Sequence, residues 1–362
     1  MQKIKVGILG ATGMVGQNYI RLLDNHPWFE VSYLAASPRS AGKKYSEAVE
    51  GRWLMPLTIP ESVKNLEVYN AVDIDSAKGK CSLVFSAVSL DKEEISKLEL
   101  AYAEAGFAVV SNNSAHRHTE DIPMLIPEVN AGHADIITRQ RKNYGWDTGL
   151  LAVKPNCSVQ SYVTPIHALR QKGYQVSEMI VTTLQALSGA GYPGPSSFDM
   201  IDNIVPYIGG EEEKSELEPQ KILGSIENGK FAYDKSINIS AHCNRVPVID
   251  GHTACVSMKF KGEKPKLNEI IDIWNDFTSV PQELELPSAP LQPIIVRHEA
   301  DRPQPRKDRD KDKAMAVSVG RLREGNVFDY RFVGLSHNTV RGAAGGAILM
   351  AELLVAKEYV NS

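Results

Sequence analysis

Three observations predict an α/β fold in two domains. A strand pattern at the amino terminus runs straight into a glycine-rich turn, strand and helix runs alternate from there to about residue 111, and after Pro155 the strand patterns become longer and less regular. At 362 residues the chain exceeds what one hydrophobic core usually serves, which favours the division. Hydrophobic residues at 43% and charged residues at 23% are ordinary globular usage and exclude a disordered or fibrous chain. Forty basic against 44 acidic side chains give a formal net charge of −4, with no cationic excess for a phosphate backbone, so nucleic acid is not expected as a partner.

Residues 4–9 read as a short buried strand, Gly10–Gly13 as a turn and Met14–Leu23 as a helix. Val31–Ala36, Cys81–Val88 and Ala108–Ser111 read as further strands, with a helix rich in Glu, Lys, Leu and Ala before the last. This alternation predicts a Rossmann-like parallel sheet. A helix over Val159–Gln171 then leads into strand patterns at Val176–Ala186, Ser236–Ile239, Val246–Val248 and Thr253–Phe260, expected to form an antiparallel sheet in an α+β domain. Asp301–Lys313 alternates charge sign and carries two prolines, the pattern of an exposed loop. Arg341–Lys357, rich in small residues, is expected to return as a helix onto the first domain. The expected domains are 1–155, joined by 338–362, and 156–337.

Cys81, Cys157, Cys243 and Cys255 lie far apart with no CxxC pair, which fits neither a disulfide framework nor a zinc site. No apolar run approaches the roughly 18 residues that a spanning helix needs. A cytoplasmic protein with no membrane partner is expected.

The glycines at 7, 10, 13 and 16 stand between a strand and a helix, the context in which such a loop can cradle a dinucleotide pyrophosphate on backbone amides. Their spacing is not the usual G-x-G-x-x-G, yet it permits the same tight turn and close approach. No acidic residue stands where the second strand ends, the place from which one would hold the ribose 2′-hydroxyl of NAD. The stretch there, Ala35-Ala-Ser37-Pro-Arg39-Ser40-Ala-Gly-Lys43, offers hydroxyls and cations suited to a 2′-phosphate, which favours NADP.

Val153-Lys-Pro-Asn156-Cys157-Ser158 places a cysteine between a proline-bearing turn and a helix, where amides and the helix dipole can favour thiolate. Gln185-Ala-Leu-Ser188-Gly189-Ala-Gly and Asn244-Arg245-Val-Pro-Val-Ile-Asp-Gly-His252 bring further polar chemistry. Arg245 offers a planar fork for a carboxylate, and His252 is suited to acid/base work near neutral pH.

Taken with Glu211 and Lys214 and the late Ser336-His-Asn338-Thr-Val-Arg-Gly, these motifs resemble the aspartate-semialdehyde dehydrogenases, in the branch shared by archaea and fungi, over nearly the whole chain. The resemblance implies Cys157 as nucleophile and His252 as acid/base group. Gln185, Glu211 and Arg245 would bind the substrate amino acid end, and Arg117, Asn156 and Lys214 its phosphate. NADP contacts would come from Gly10, Ala11, Thr12, Gly13, Met14, Val15, Ser37, Arg39, Ser40, Ser86, Ser188, Gly189 and Asn338, with no metal.

In the biosynthetic direction, that family's chemistry has the Cys157 thiolate expel phosphate from β-aspartyl phosphate to leave a thioester, which hydride from NADPH then reduces. The family usually forms dimers or tetramers through its second domain. Malonyl-coenzyme A reductase and N-acetyl-glutamyl-phosphate reductase share the cysteine and cofactor logic. A dinucleotide sensor could use the same fold without catalysis.

Overall fold

The computed structural model describes residues 2–360. The first sheet comprises β1 (Ile4–Leu9), β2 (Phe29–Ala36), β3 (Val68–Asn70), β4 (Leu83–Ser86), β5 (Ala108–Ser111) and β6 (Leu150–Val153). All its pairings are parallel and the order is β3-β2-β1-β4-β5-β6, the order of a doubly wound dinucleotide-binding sheet. Leu9, Ser86, Ser111 and Val153 stand in register across four strands, so four connecting loops leave the sheet at one level. The central strands read as near-continuous apolar runs because helices cover both faces. β3 and β6 lie outside the runs read as strands from sequence.

A second sheet follows, interrupted by the small hairpin β8 (Ser225–Glu227) and β9 (Lys230–Ala232). It contains β7 (Val176–Gln185), β10 (Asn238–Arg245), β11 (His252–Phe260), β12 (Ile294–Arg297), β13 (Val317–Glu324) and β14 (Tyr330–Ser336). Its order is β10-β7-β11-β14-β13-β12. The sheet is mixed and not antiparallel as expected: β10 pairs with β7, and β12 with β13, in parallel. Ser236–Ile239 is the entry to a strand that runs on to Arg245, and Val246–Val248 is not a strand. There the chain leaves β10 and crosses to β11 on the far side of β7.

The helix expected at Val159–Gln171 is split into a 3-10 turn at Ser158–Ser161 and a helix at Val163–Gln171. Asp301–Lys313 is not simply an exposed loop. Short helices form at Pro305–Asp308 and Lys311–Ala314, and Asp308 is buried, accepting hydrogen bonds from the Gln304 amide and from Arg302. Alternating charge there supplies internal ion pairs.

The carboxyl-terminal helix spans Gly345–Ala356, preceded by an irregular turn at Val340–Ala344. Ala347, Ile348, Met350, Ala351 and Leu354 share a core with Val6, Ile8, Leu34, Phe85 and Val110, so the segment does return to the first sheet. On the other face, Leu9, Val84 and Val109 belong to one apolar cluster with Val181, Val256 and Phe332 of the second sheet.

Candidate active site

Because β1, β4, β5 and β6 end at one level, their loops form one wall of a cleft of about 430 Å³. Met14 and Val15 line it after β1, Ser89 after β4, Asn112–Ser114 after β5, and Asn156 and Cys157 after β6. Ser188–Gly191, Glu211 and Lys214 close it from the second sheet's side, and Asn338 and Thr339 from the returning chain.

The glycine loop is built by close contact. Gly10 has φ +84°, and a Cβ there would stand 2.3 Å from the Ala87 carbonyl oxygen. A Cβ on Gly16 would meet the Gly10 carbonyl oxygen at 2.3 Å. The amides of Gly10 and Ala11 donate to Ala35 O at 2.8 and 3.0 Å, stitching the turn to β2. Helix Met14–Leu23 starts at the cleft with no acidic residue in its first turn, an arrangement favourable to an anion. Thr12 and Gly13 sit in this turn. Ser37 and Arg39 are exposed just beyond β2, while Ala11 and Ser40 are buried. Ser86 is also fully buried, its hydroxyl donating to Glu99 at 2.7 Å and accepting from Asn113 Nδ2 at 3.2 Å.

Cys157 is half-buried on the cleft floor, its Sγ 3.3 Å from His252 Nε2. The Ala186 amide donates to His252 Nδ1 at 3.0 Å. The neutral ring therefore carries its proton on Nε2, facing the sulfur. Burial, reinforced by the charge of Arg245, lowers His252 to a pKa of about 3 and keeps the imidazole neutral. Burial pushes the Cys157 thiol up to about 11, with Glu211 adding to the shift and Lys154, Arg117 and Arg245 opposing it.

The sheet order explains how Arg245 and His252 meet. Arg245 ends β10 opposite Gln185 of β7, and His252 opens β11 on the other flank of β7. Arg245 Nη1 donates to Ala186 O at 2.6 Å. Asn338 accepts from the Gly251 amide and donates to Ser188 Oγ, both at 2.8 Å, tying the His252 turn to the Ser188–Gly189 loop. A Cβ on Gly189 would stand 2.9 Å from Arg245 Nη1 and 3.1 Å from His252 Cε1, so that loop lies directly over both.

The helix Glu211–Ile222 supplies a polar face. Glu211 accepts from Asn156 Nδ2 at 2.8 and 2.9 Å, from Gln185 Nε2 at 3.2 Å and from Lys214 Nζ at 2.9 Å. Burial alone would raise its carboxyl, but Lys214 and these donors hold it below the usual carboxylate value. Glu218, two turns on, accepts from the Asn156 amide at 2.6 Å and from Arg117 Nη1 at 2.8 Å. Arg117 also donates to Lys154 O and Asn112 O. It keeps two of its five N–H donors for a ligand.

Glu218, Lys154 and the Asn112–Ser114 turn were not singled out from sequence. The spacing Glu211, Ser215, Glu218 places three polar residues on one helix face and signals Glu218. The asparagine-rich turn lies at the carboxyl end of β5, where such folds bind ligands.

The chain also matches two family models: semialdehyde dehydrogenase, NAD binding domain, over residues 5–137, and semialdehyde dehydrogenase, dimerisation domain, over residues 166–341. It is 45% identical over 356 residues to an aspartate-semialdehyde dehydrogenase of Schizosaccharomyces pombe, covering 98% of each chain. It is 46% identical over 354 residues to one of Methanothermobacter thermautotrophicus, covering 97% of this chain and 99% of the relative. The solved aspartate semialdehyde dehydrogenase of Candida albicans with NADP superposes with a TM-score of 0.89 at 42% identity, covering 99% of this chain and 100% of that one. With fungal and archaeal relatives matched over almost the full length, and a cysteine and histidine paired at the cleft floor, this chain belongs to the aspartate-semialdehyde dehydrogenase family.

Proposed function

We propose that this protein carries out the NADP-dependent reductive dephosphorylation of β-aspartyl phosphate to aspartate semialdehyde through a thioester on Cys157, in the biosynthesis of lysine, methionine and threonine. The single observation that carries the reading is the Cys157–His252 contact of 3.3 Å inside a cleft that opens on a glycine loop. The loop fits a dinucleotide: Gly10 and Gly16 let the turn pack backbone on backbone where a Cβ would collide, Gly13 is exposed, and the helix start at Met14 faces the cleft. Arg39 and Ser37, exposed past β2, suit a 2′-phosphate. When bound, the nicotinamide supplies the hydride.

The protein's own residues do the rest. Cys157 forms the acyl bond, and His252 holds a proton on Nε2 where it can hydrogen-bond the oxyanion of the tetrahedral adduct. Arg245 grips the substrate carboxylate, while Gln185 and Glu211 orient the amino acid end. Arg117, Asn156 and Lys214 hold the departing phosphate. Residues 1–155 with 338–362 bind cofactor and 156–337 carry the reacting groups. Phe198, Ile201, Ile204 and Tyr207 are exposed apolar residues of that second unit, which supports a homodimer or homotetramer. The protein works in the cytoplasm.

The test is turnover with NADP, phosphate and aspartate semialdehyde, set beside a coenzyme A thioester and N-acetyl-glutamyl phosphate with NADPH. Only the first set should react. Cys157→Ala should lose roughly 10⁴-fold or more of kcat while still binding NADPH. Substantial residual turnover would remove Cys157 from the mechanism.

A further inference from the structure

Lys221 continues the polar face of the helix Glu211–Ile222, one turn after Glu218, and is fully buried. Its Nζ donates to three backbone carbonyls: Arg117 O at 2.8 Å, Thr119 O at 2.9 Å and Ile122 O at 2.9 Å. An ammonium has three N–H donors and no acceptor, so this cradle uses it completely. Phe231 of β9 covers it, the ring centroid 4.5 Å from Nζ.

The segment that receives these bonds has little else to shape it. From Asn112 to Ile122 the chain forms neither helix nor strand, and inside it the Arg117 amide reaches Ser114 O at 3.4 Å and the Thr119 amide His116 O at 3.2 Å. Carbonyls outside regular structure must find donors elsewhere, and three of them find the same one. Arg117 stands in this segment and is held at its other end too: Nη1 donates to Glu218 at 2.8 Å, Nε to Lys154 O at 2.9 Å and Nη2 to Asn112 O at 3.2 Å. Glu218 thus fixes the guanidinium of Arg117 and Lys221 its backbone, from successive turns of one helix. That helix also carries Lys214 at the cleft, so a single element sets where both cations stand.

We propose that Lys221 is a positioning residue for the phosphate site: by gathering the carbonyls of Arg117, Thr119 and Ile122 it holds Arg117 where its two free N–H donors meet the phosphate. The inference rests on Arg117 being a phosphate-binding residue. The bonds of Lys221 reach neither Cys157 nor the glycine loop, so its loss should be felt by phosphate and not by the cofactor or the nucleophile. Burial lowers Lys221 to about 7 against the pull of Asp121 and Glu218, so the kinetics are read at about pH 6.5, where the ammonium with its three donors prevails.

The experiment is steady-state kinetics of the intact enzyme with inorganic phosphate varied and NADP and aspartate semialdehyde saturating. Lys221→Met, which keeps the length of the side chain without its donors, should raise KM for phosphate about tenfold or more. KM for NADP should change little, as should the rate at which iodoacetamide alkylates Cys157, read on the Cys157 peptide by mass. Should Lys221→Met fail to fold, Lys221→Gln, which keeps two N–H donors, takes its place and should show a smaller rise of the same kind. A double-mutant cycle tests the route: on an Arg117→Met background, where KM for phosphate is already raised, Lys221→Met should add under about twofold. A parental KM for phosphate in a folded Lys221 variant, full additivity with Arg117→Met, or an equal loss in NADP binding and Cys157 alkylation overturns the proposal. Arg117→Met with a parental KM for phosphate would remove Arg117 from the phosphate site and take the inference with it, whereas a raised value there beside a parental Lys221→Met sinks the inference alone.

Discussion

The loop after β1 and the Cys157 site line one cleft but are made in opposite ways. The first is built from backbone: ten consecutive residues, Gly7 to Gly16, contain the turn and the helix start, packed against the Ala35 and Ala87 carbonyls. The second is assembled from side chains that lie up to 181 positions apart, from Cys157 to Asn338, and held by buried hydrogen bonds to Glu211, Glu218 and Asn338. A backbone-built site is vulnerable to added volume. A side-chain-built site is vulnerable to the loss of single polar atoms.

Replacing His252 tests the second half of that contrast and should give the larger effect. His252→Gln should lower kcat by about 10²–10⁴-fold with a smaller change in KM, whereas Arg245→Lys, which keeps charge but loses the fork, should chiefly raise KM for aspartate semialdehyde. Steady-state kinetics at saturating phosphate separate the two, and a kcat-only loss in Arg245→Lys with a parental His252 variant would reverse the assignment. Stability carries a further signature. The folded value of His252 lies below its unfolded value, so the unfolded chain binds more protons between about pH 6.5 and about 3, and stability falls as pH drops through that window. Thermal melts across that range should show less acid loss in His252→Gln than in the parent.

Added volume at the glycine loop comes next. Gly16→Val places carbon where the Gly10 carbonyl already stands at 2.3 Å, so the loop must move; NADPH binding should weaken at least about tenfold, and the melting temperature should fall. Cys157 alkylation, being read after β6, three strands away along the sheet, should change little. A variant that binds NADPH normally would show that the loop's tight packing is dispensable.

The smallest effect should come from Arg39→Ala. Its side chain is exposed, so the loss should be confined to the 2′-phosphate contact, about tenfold in NADP affinity with NAD affinity unchanged. Equal loss for both cofactors would show that Arg39 supports the loop and does not read the phosphate.

Local features were legible in the chain itself. Helix Met14–Leu23 was placed to the residue and the strand at 4–9 likewise, because apolar periodicity and the flanking glycines are properties of short windows. Cys157, His252 and Arg245 were named for their chemistry and do converge. What went unread was long-range. Val246–Val248 has strand composition, yet the chain there passes from one side of β7 to the other, and its backbone bonds to Gln185 O and the Leu187 amide do not extend into a ladder. The mixed sheet was missed for the same reason, since β10 returns beside β7 in the same direction. The buried carboxylate of Glu99 beside Ser86 and Ser111 is likewise set by the fold, and no spacing announces it.

By itself the sequence determined the strand-turn-helix that can seat a dinucleotide, the alternation that makes a parallel sheet, and the identity of the reacting side chains, since each depends on residues within one or two turns of one another. Tertiary structure alone decided that β7 runs between Arg245 and His252, that the Ala186 amide sets the proton of His252 on Nε2, and that Asn338 ties the His252 turn to the Ser188–Gly189 loop. Those relations come from strand order and chain return over some sixty residues or more, where the burial of apolar surface chooses the arrangement and the polar groups caught inside must find partners within it.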